Sequence, residues 1–87
     1  MSRKIYVGNL NYATLEDSIR DIFARHGQVE SVTLGRDRLS GQPRGFAFVE
    51  MATEAQAALA IRALDGSELD GRRLRVNAAQ ESRRQSP

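Results

Sequence analysis

The sequence predicts an α+β fold in which four antiparallel strands form one sheet and two helices cover one of its faces. In four short segments apolar side chains alternate with polar ones, as they do in strands with one buried face. In two other segments apolar side chains recur at helical spacing and form one stripe per helix. The segments follow one another in the order βαββαβ. Because each element has a single apolar face, two layers around one core are favoured.

The four predicted strands span residues 4–8, 30–35, 45–51 and 73–78. They are rich in β-branched and aromatic residues, which favour strands. Successive side chains point to opposite faces, so one face of each strand is apolar. The side chains predicted to point into the core are Ile5, Val7, Val32, Leu34, Ala47, Val49, Met51, Leu74 and Val76.

The first helix is predicted to begin after Thr14, whose hydroxyl is placed to cap the backbone amide of Asp17. Gly27 is expected to end this segment in the left-handed conformation. The predicted apolar stripe of the helix contains Leu15, Ile19, Ile22 and Phe23.

The second helix is predicted to begin after Thr53, with Gln56 three residues later in the spacing of a capping box. Residues 65–66, Asp-Gly, are expected to end it, and a turn at residues 70–71 leads to the last strand. Its predicted stripe contains Ala57, Ala60, Ile61 and Leu64.

The length and composition indicate one small domain. A chain of 87 residues suffices for one domain and not two. We assign residues 1–78 to this domain and residues 79–87 to a flexible polar tail that carries Arg83 and Arg84.

Several classes of protein are disfavoured by what the sequence lacks. There is no cysteine and only one histidine, so neither a disulfide nor a cysteine-based zinc site is expected, and no cofactor is indicated. No apolar run approaches the roughly 20 residues of a membrane span, and no signal-peptide stretch follows the first charges. A cytoplasmic location is therefore expected.

The face of the sheet opposite the helices is predicted to be unusually aromatic. Alternation places Tyr6, Phe46 and Phe48 there, three of the five aromatic residues in the chain. A sheet face that meets water is normally polar. Packing of these rings against a third layer is the main alternative, but the chain has no residues left to build one. An exposed aromatic patch normally marks a binding site.

Cations are predicted to surround this patch. Of the thirteen lysines and arginines, all except Lys4 are arginines, whose planar head groups pair with phosphate and stack on bases. Splayed bases of single strands stack on aromatic rings, whereas a duplex hides its base faces. The pattern therefore predicts binding of single-stranded nucleic acid. The polar and charged residues predicted on this face include Lys4, Arg44, Arg73, Arg75 and Asn77.

Two sequence motifs identify a family resemblance. Residues 44–51 read RGFAFVEM, and residues 5–10 read IYVGNL. With these motifs on its third and first strands, the chain resembles the RNA recognition motif family over residues 3 to about 78. The resemblance implies a ferredoxin-like sandwich, and short chains of this kind are similar to bacterial members. Met51 replaces the aromatic residue expected at the last motif position, but alternation places it in the core.

The resemblance also implies roles for individual residues. Tyr6 and Phe48 would stack successive bases, and Phe46 would contact the sugars between them. Arg44 would bind a phosphate. Asn9 matches an asparagine that more often orders the strand end than contacts RNA, and we include it among the candidates. Residues of the last strand that would contact bases are Arg73, Arg75 and Asn77.

The sequence thus predicts a monomeric protein that binds single-stranded RNA, with single-stranded DNA left open as a ligand. Post-transcriptional regulation or RNA chaperoning would use such a surface. The alternative is a protein–protein interaction domain on the same scaffold, although the intact set of rings argues against it. We expect no enzymatic activity, because no nucleophile–base pair, metal cluster or glycine-rich phosphate loop is recognisable.

Two further segments leave alternatives open. Tyr12 precedes the first helix, where the family usually places a packing ring, and contact with RNA is the less favoured reading. The connection at residues 36–43 is either a solvated hairpin or a clamp that closes over RNA.

Overall fold

The computed structural model describes residues 2–36 and 38–79, which form a four-stranded antiparallel sheet with both helices on one face. The predicted fold class, an α+β ferredoxin-like sandwich, is confirmed. The elements are β1 (Lys4–Gly8), α1 (Glu16–Ala24), β2 (Val29–Arg36), β3 (Pro43–Met51), α2 (Glu54–Leu64), β4 (Glu68–Leu69), β5 (Arg72–Arg73) and β6 (Arg75–Ala78).

The strand order of the main sheet is β2-β3-β1-β6, so the two motif strands are central neighbours. In the register of the sheet, Tyr6 on β1 lies opposite Phe48 on β3 and opposite Asn77 on β6. Thr33 on β2 lies opposite Phe48 from the other side. The two motifs therefore meet side by side in the middle of the sheet.

The core lies between the sheet and the helices. Phe23 and Ile19 from α1 are fully buried against the strands, and each such side chain contributes roughly 1.5–3 kcal/mol by leaving water. The predicted inward faces of the strands are confirmed, except that Leu34 is only partly buried. Met51 is fully buried, which fits its predicted core position. The remaining members of the buried cluster are Ile5, Val7, Leu10, Val32, Ala47, Val49, Ala57, Ala60, Leu64, Leu74 and Val76.

The start of α1 differs from the sequence prediction. The N-cap position is Leu15, which is 67% exposed and therefore does not belong to the apolar stripe. Thr14 is buried, and its hydroxyl donates to Oδ2 of Asp70 at 2.7 Å. The predicted cap by Thr14 is wrong because the N-cap position falls one residue later, on Leu15, whose side chain has no acceptor for a backbone N–H.

The end of α1 also differs. The helix ends at Ala24, and the following Arg25 keeps right-handed helical angles. Gly27 has a φ of 159°, so the predicted left-handed stop is wrong. Glycine fits at residue 27 for a different reason, which is close packing. A Cβ there would lie 2.8 Å from the Cβ of Gln56 on α2.

The predicted cap of α2 is confirmed. The hydroxyl oxygen of Thr53 accepts a hydrogen bond from the backbone N–H of Gln56 at 3.1 Å. The side chain of Gln56 accepts from the backbone N–H of Gln28, which joins the start of α2 to the start of β2. The reciprocal half of a capping box is thus replaced by a tertiary contact. No helix in the described part of the chain is long and apolar enough to cross a membrane.

A small hairpin precedes the last strand of the main sheet. Strands β4 and β5 pair with each other around Asp70 and Gly71, whose φ angles of 52° and 82° are both positive, as in a type I′ turn. Arg73 lies in this hairpin and not on the last sheet strand, so its predicted position is wrong. The physical reason is that Arg73 pairs with Glu68, and the next residue, Leu74, is hydrogen-bonded to Gly66 and Ser67 rather than to the main sheet.

The folded part continues one residue beyond the predicted domain boundary at residue 78. Ala79 is buried, and its N–H donates to the carbonyl oxygen of Lys4 at 2.9 Å. The rest of the predicted tail, residues 80–87 with Arg83 and Arg84, lies outside the described residues.

Candidate nucleic-acid interface

Tyr6, Phe46 and Phe48 form a cluster on the face of the sheet away from the helices, here called the aromatic triangle. Their ring centroids are 5.8 to 6.2 Å apart, and each ring is partly exposed. Tyr6 and Phe46 are inclined by 25°, whereas Phe48 meets both of them at steeper angles of 63° and 75°. The predicted clustering of the three rings is therefore present.

Two glycines allow rings of the triangle to lie close to the sheet. A Cβ on Gly35 would lie 2.3 Å from Cζ of Phe46, so this ring covers the backbone of β2. A Cβ on Gly8 would lie 2.6 Å from Oη of Tyr6. The role of Gly35 was not predicted from the sequence. A glycine inside a strand pattern is nevertheless a signal of close approach.

Uncharged polar side chains extend the row through Phe48 and Tyr6. Thr33 lies beyond Phe48 on β2, and Asn77 lies beyond Tyr6 on β6. Both are exposed, so their hydrogen-bonding groups meet solvent beside the rings. Asn77 thus occupies its predicted position on this face.

Three of the cations predicted around the rings are Lys4, Arg44 and Arg75, and each has a different position relative to the aromatic triangle. Nζ of Lys4 lies 5.4 Å from the centroid of Phe48, within the range of a cation–π interaction. Arg44 is exposed on β3 two residues before Phe46, and Arg75 is exposed on β6 opposite Gly8. Lys4 and Arg75 therefore border the aromatic triangle, whereas a register shift of β3 between Ala47 and Pro43 interrupts the alternation that predicted Arg44 beside the rings.

Asn9 is hydrogen-bonded to the hairpin that follows α2, and Arg73 is part of that hairpin. Nδ2 of Asn9 donates to the carbonyl oxygen of Arg73 at 2.6 Å, and its Oδ1 accepts from Nη2 of Arg72 at 2.7 Å. Asn9 has a φ of 61°, a left-handed angle that asparagine tolerates better than most residues. Both ends of its amide are engaged, so Asn9 orders the end of β1, as the motif resemblance implies.

Tyr12 lies on the surface and not in the core. Its side chain is 67% exposed, so Tyr12 is not a packing ring of the core. The ring lies against Gly45, where a Cβ would be 3.0 Å from Cε1 of Tyr12. Gly45 has a φ of 83°, and its carbonyl oxygen accepts from the N–H of Leu10. Tyr12 therefore flanks the start of the third-strand motif.

A short loop connects β2 to β3. Arg36 lies opposite Pro43 at its base, and Nη1 of Arg36 donates to the carbonyl oxygen of Gly41 at 3.5 Å. Leu39 at its tip is 98% exposed. Asp37 lies outside the described residues. Both predictions for this segment, a solvated hairpin or a clamp, stay open.

The described residues offer no metal site of the usual kind. Within residues 2–36 and 38–79, no three His, Cys, Asp or Glu side chains come together in a group that could hold a metal ion. The expectation that the chain is not an enzyme stays a prediction.

Comparison with known families decides the classification. The family described as RNA recognition motif matches residues 5–75. The chain belongs to this family. The resemblance inferred from the two motifs is thereby confirmed.

Similar proteins include bacterial and fungal relatives. The chain is 56% identical over 75 residues to RbpA of Nostoc sp., a protein named for RNA binding, and the match covers 86% of this chain and 74% of that protein. It is 49% identical over 79 residues to Glycine-rich RNA-binding protein 1 of Mycosarcoma maydis, covering 91% of this chain and 45% of the relative.

Solved structures share the fold. The crystal structure of RNA Binding Protein PG1 superposes with a TM-score of 0.88 at 42% identity, covering 95% of this chain and 100% of that one. The RRM of Rna15 with bound RNA (GU) superposes with a TM-score of 0.82 at 30% identity, covering 93% and 86%.

Proposed function

We propose that this protein binds single-stranded RNA on the exposed face of its sheet, with the aromatic triangle as the stacking surface. The observation that carries the proposal is the position of the three rings. They lie on the solvent side of the sheet and within 6.2 Å of one another, although a fully formed core exists on the opposite side. Such an arrangement exposes apolar area that only a ligand would cover.

The residues around the aromatic triangle fit a ligand that has negatively charged phosphates and exposed bases. Arg75 is exposed on the face of the rings and Arg44 is exposed two residues before Phe46, and guanidinium groups can pair with phosphates. Thr33 and Asn77 offer hydrogen bonds at the level of the rings, where edges of stacked bases would lie. Stacking surface, phosphate partners and edge partners thus lie on one face.

The similar proteins support the same function. The Nostoc and Mycosarcoma relatives are named for RNA binding, and the Rna15 domain was solved with RNA bound. We extend this activity to the present chain because it belongs to the same family and matches these proteins over most of its length. Post-transcriptional regulation or RNA chaperoning in the cytoplasm, by a monomer, is the cellular role that we propose.

The expected affinity is moderate. Stacking contributes roughly 1–3 kcal/mol per base, and the triangle offers room for two or three bases. After the cost of ordering the strand, binding near −8 kcal/mol is expected, which is a dissociation constant on the order of micromolar.

The test is fluorescence anisotropy with short labelled RNAs of mixed sequence. We expect binding by the wild type and a loss of at least roughly tenfold for Tyr6→Ala/Phe48→Ala, since two stacking rings are removed. Leu59→Ala is the matched control, because Leu59 is 55% exposed on the helical side. Circular dichroism checks that each variant is folded.

Two results would contradict the proposal. One is binding by the folded double variant that equals binding by the wild type. The other is no binding of wild type to RNA or single-stranded DNA at low salt, which would turn attention to a protein partner.

A further inference from the structure

One residue of the candidate surface has a charge that a general RNA-binding face would not require. Glu50 lies on β3 opposite Lys4 and opposite Ser31, two residues along the strand from Phe48 and on the same face. It is the only acidic residue among those whose register places them in the cross-strand rows of Lys4, Tyr6 and Gly8. A carboxylate therefore stands next to a ring of the aromatic triangle.

This carboxylate is held in place. Oε2 of Glu50 pairs with Nη2 of Arg3 at 2.7 Å, and Nη1 of Arg3 lies 3.4 Å from the carbonyl oxygen of Ala52. The Glu50 side chain is 35% exposed. A carboxylate has two oxygens with about four acceptor positions. The ion pair uses one oxygen, so the Glu50 group keeps acceptor capacity toward solvent.

Next to Glu50, the electrostatic environment favours the edge of a base over a phosphate group. Arg3 and Lys4 flank the carboxylate and make this corner of the sheet cationic overall, so RNA is not repelled from it. The carboxylate itself repels a phosphate oxygen at short range, however. A base stacked on Phe48 brings neutral groups into the same space, and an ionised carboxylate can interact favourably only with donors among them.

The four bases differ in what they offer to such an acceptor. Cytosine presents a donor amino group at the position where uracil presents the acceptor oxygen O4. The N3–H donor of uracil lies between two carbonyl oxygens, and a carboxylate that approaches it meets at least one of them. We infer that Glu50, oriented by Arg3, makes this surface prefer bases with an exposed amino group over uracil. The inference rests on the proposed function, because it concerns the same RNA site.

A purely structural ion pair is the competing explanation. Arg3 precedes β1, and Glu50 lies near the end of β3, so the pair also ties two strands together. An exposed pair of this kind contributes little to stability. If the pair were only structural, removing the Glu50 charge would leave the relative affinity for different bases unchanged. A measurement of that relative affinity therefore separates the two explanations.

The experiment compares labelled oligocytidine and oligouridine of equal length by anisotropy. We expect wild type to bind oligocytidine at least roughly fivefold more tightly, the lower end of discrimination by one good polar contact. In Glu50→Gln the ratio should fall toward one, because the amide can donate to O4 of uracil. Arg3→Ala should lower the ratio as well, because the carboxylate loses its orientation.

Glu54→Gln is the matched control, since it removes the same charge from the exposed start of α2. It should leave the ratio unchanged. A wild-type ratio near one, or a ratio that Glu50→Gln does not alter, overturns this inference while RNA binding itself stands. Failure of the wild type to bind either oligomer or a mixed-sequence RNA overturns the proposed function and this inference with it.

Discussion

The ring of Phe46 lies directly over the backbone of Gly35 on the neighbouring strand. A Cβ at Gly35 would come within 2.3 Å of Cζ and 2.4 Å of Cε1 of Phe46, closer than any side chain tolerates. Gly35 has no positive φ, so its backbone would accept another residue, and the three atoms nearest to the added Cβ all belong to the ring. The glycine therefore sets how flat Phe46 lies on the sheet.

Gly35→Ala should weaken RNA binding without unfolding the protein. The added methyl group would tilt Phe46 away from β2, and losing part of one stacking contact should cost about 1 kcal/mol, roughly fivefold in affinity. Anisotropy measures the loss, and circular dichroism checks the fold. Ala63→Ser, on the exposed side of α2 away from the rings, is the control for a small change of side chain. Wild-type affinity in Gly35→Ala would show that the flat position of Phe46 does not matter for binding.

The salt dependence of binding should report the cations that border the rings. If Lys4, Arg44 and Arg75 all meet phosphates, log affinity should fall against log salt with a slope of roughly −2, at about −0.7 per contact. Arg44→Gln and Arg75→Gln should each make the slope shallower by about 0.7. Arg62→Gln on the exposed side of α2 should not change it. A wild-type slope near zero would rule out phosphate pairing as a main source of affinity.

Asn9 should matter more for stability than for RNA contact. Asn9→Gly removes both hydrogen bonds to the hairpin and leaves the backbone unstrained, so unfolding free energy should fall by about 1–2 kcal/mol. Asn9→Ala should cost about 1 kcal/mol more, because its φ of 61° is unfavourable for alanine. Urea unfolding measures both changes. Equal stability of the two variants would contradict the role of the backbone angle.

RNA affinity separates the two roles of Asn9. Measured where each variant remains folded, the affinity of Asn9→Gly should change much less than that of Tyr6→Ala/Phe48→Ala. A loss as large as that of the double variant would place Asn9 among the direct RNA contacts.

The faces of the sheet could be predicted from sequence because strand periodicity is local. Ile5 and Tyr6 are neighbours in the chain, and the pleat alone sends them to opposite faces. The same rule placed Phe48 outward and Met51 inward, as the structure has them. The sequence order of the strands and the two motifs then indicated that the outward rings would meet.

The errors have other causes, which are very short elements and contacts between residues far apart in the chain. Arg73 was assigned to the main sheet because the two-residue arms of its hairpin are too short to show alternation. The role of Gly35 could not be predicted because its contact with Phe46 forms only when β2 and β3 pair. Local sequence predicted a helix cap at Thr14, but the helix begins one residue later and the Thr14 hydroxyl pairs with the distant Asp70.

The two threonines that precede the helices should therefore respond differently to mutation. Thr53→Ala removes a helix cap and should lower the unfolding free energy by about 1 kcal/mol. Thr14→Val keeps the shape of the buried side chain but removes its hydrogen bond to Asp70, with a similar expected loss of about 1 kcal/mol. Single variants thus do not distinguish a cap from a tertiary bond.

A double-mutant cycle with Asp70→Gly does distinguish them. Glycine removes the carboxylate and suits the φ of 52° at this position, so the change adds no backbone strain. Thr14→Val should lose most of its effect in the Asp70→Gly background, because the bond is already absent, whereas Thr53→Ala should keep its full effect. Urea unfolding of the four variants in each cycle gives the coupling. Additive effects of Thr14→Val and Asp70→Gly would mean that the hydroxyl contributes nothing through Asp70, since two residues joined by a hydrogen bond of 2.7 Å should couple.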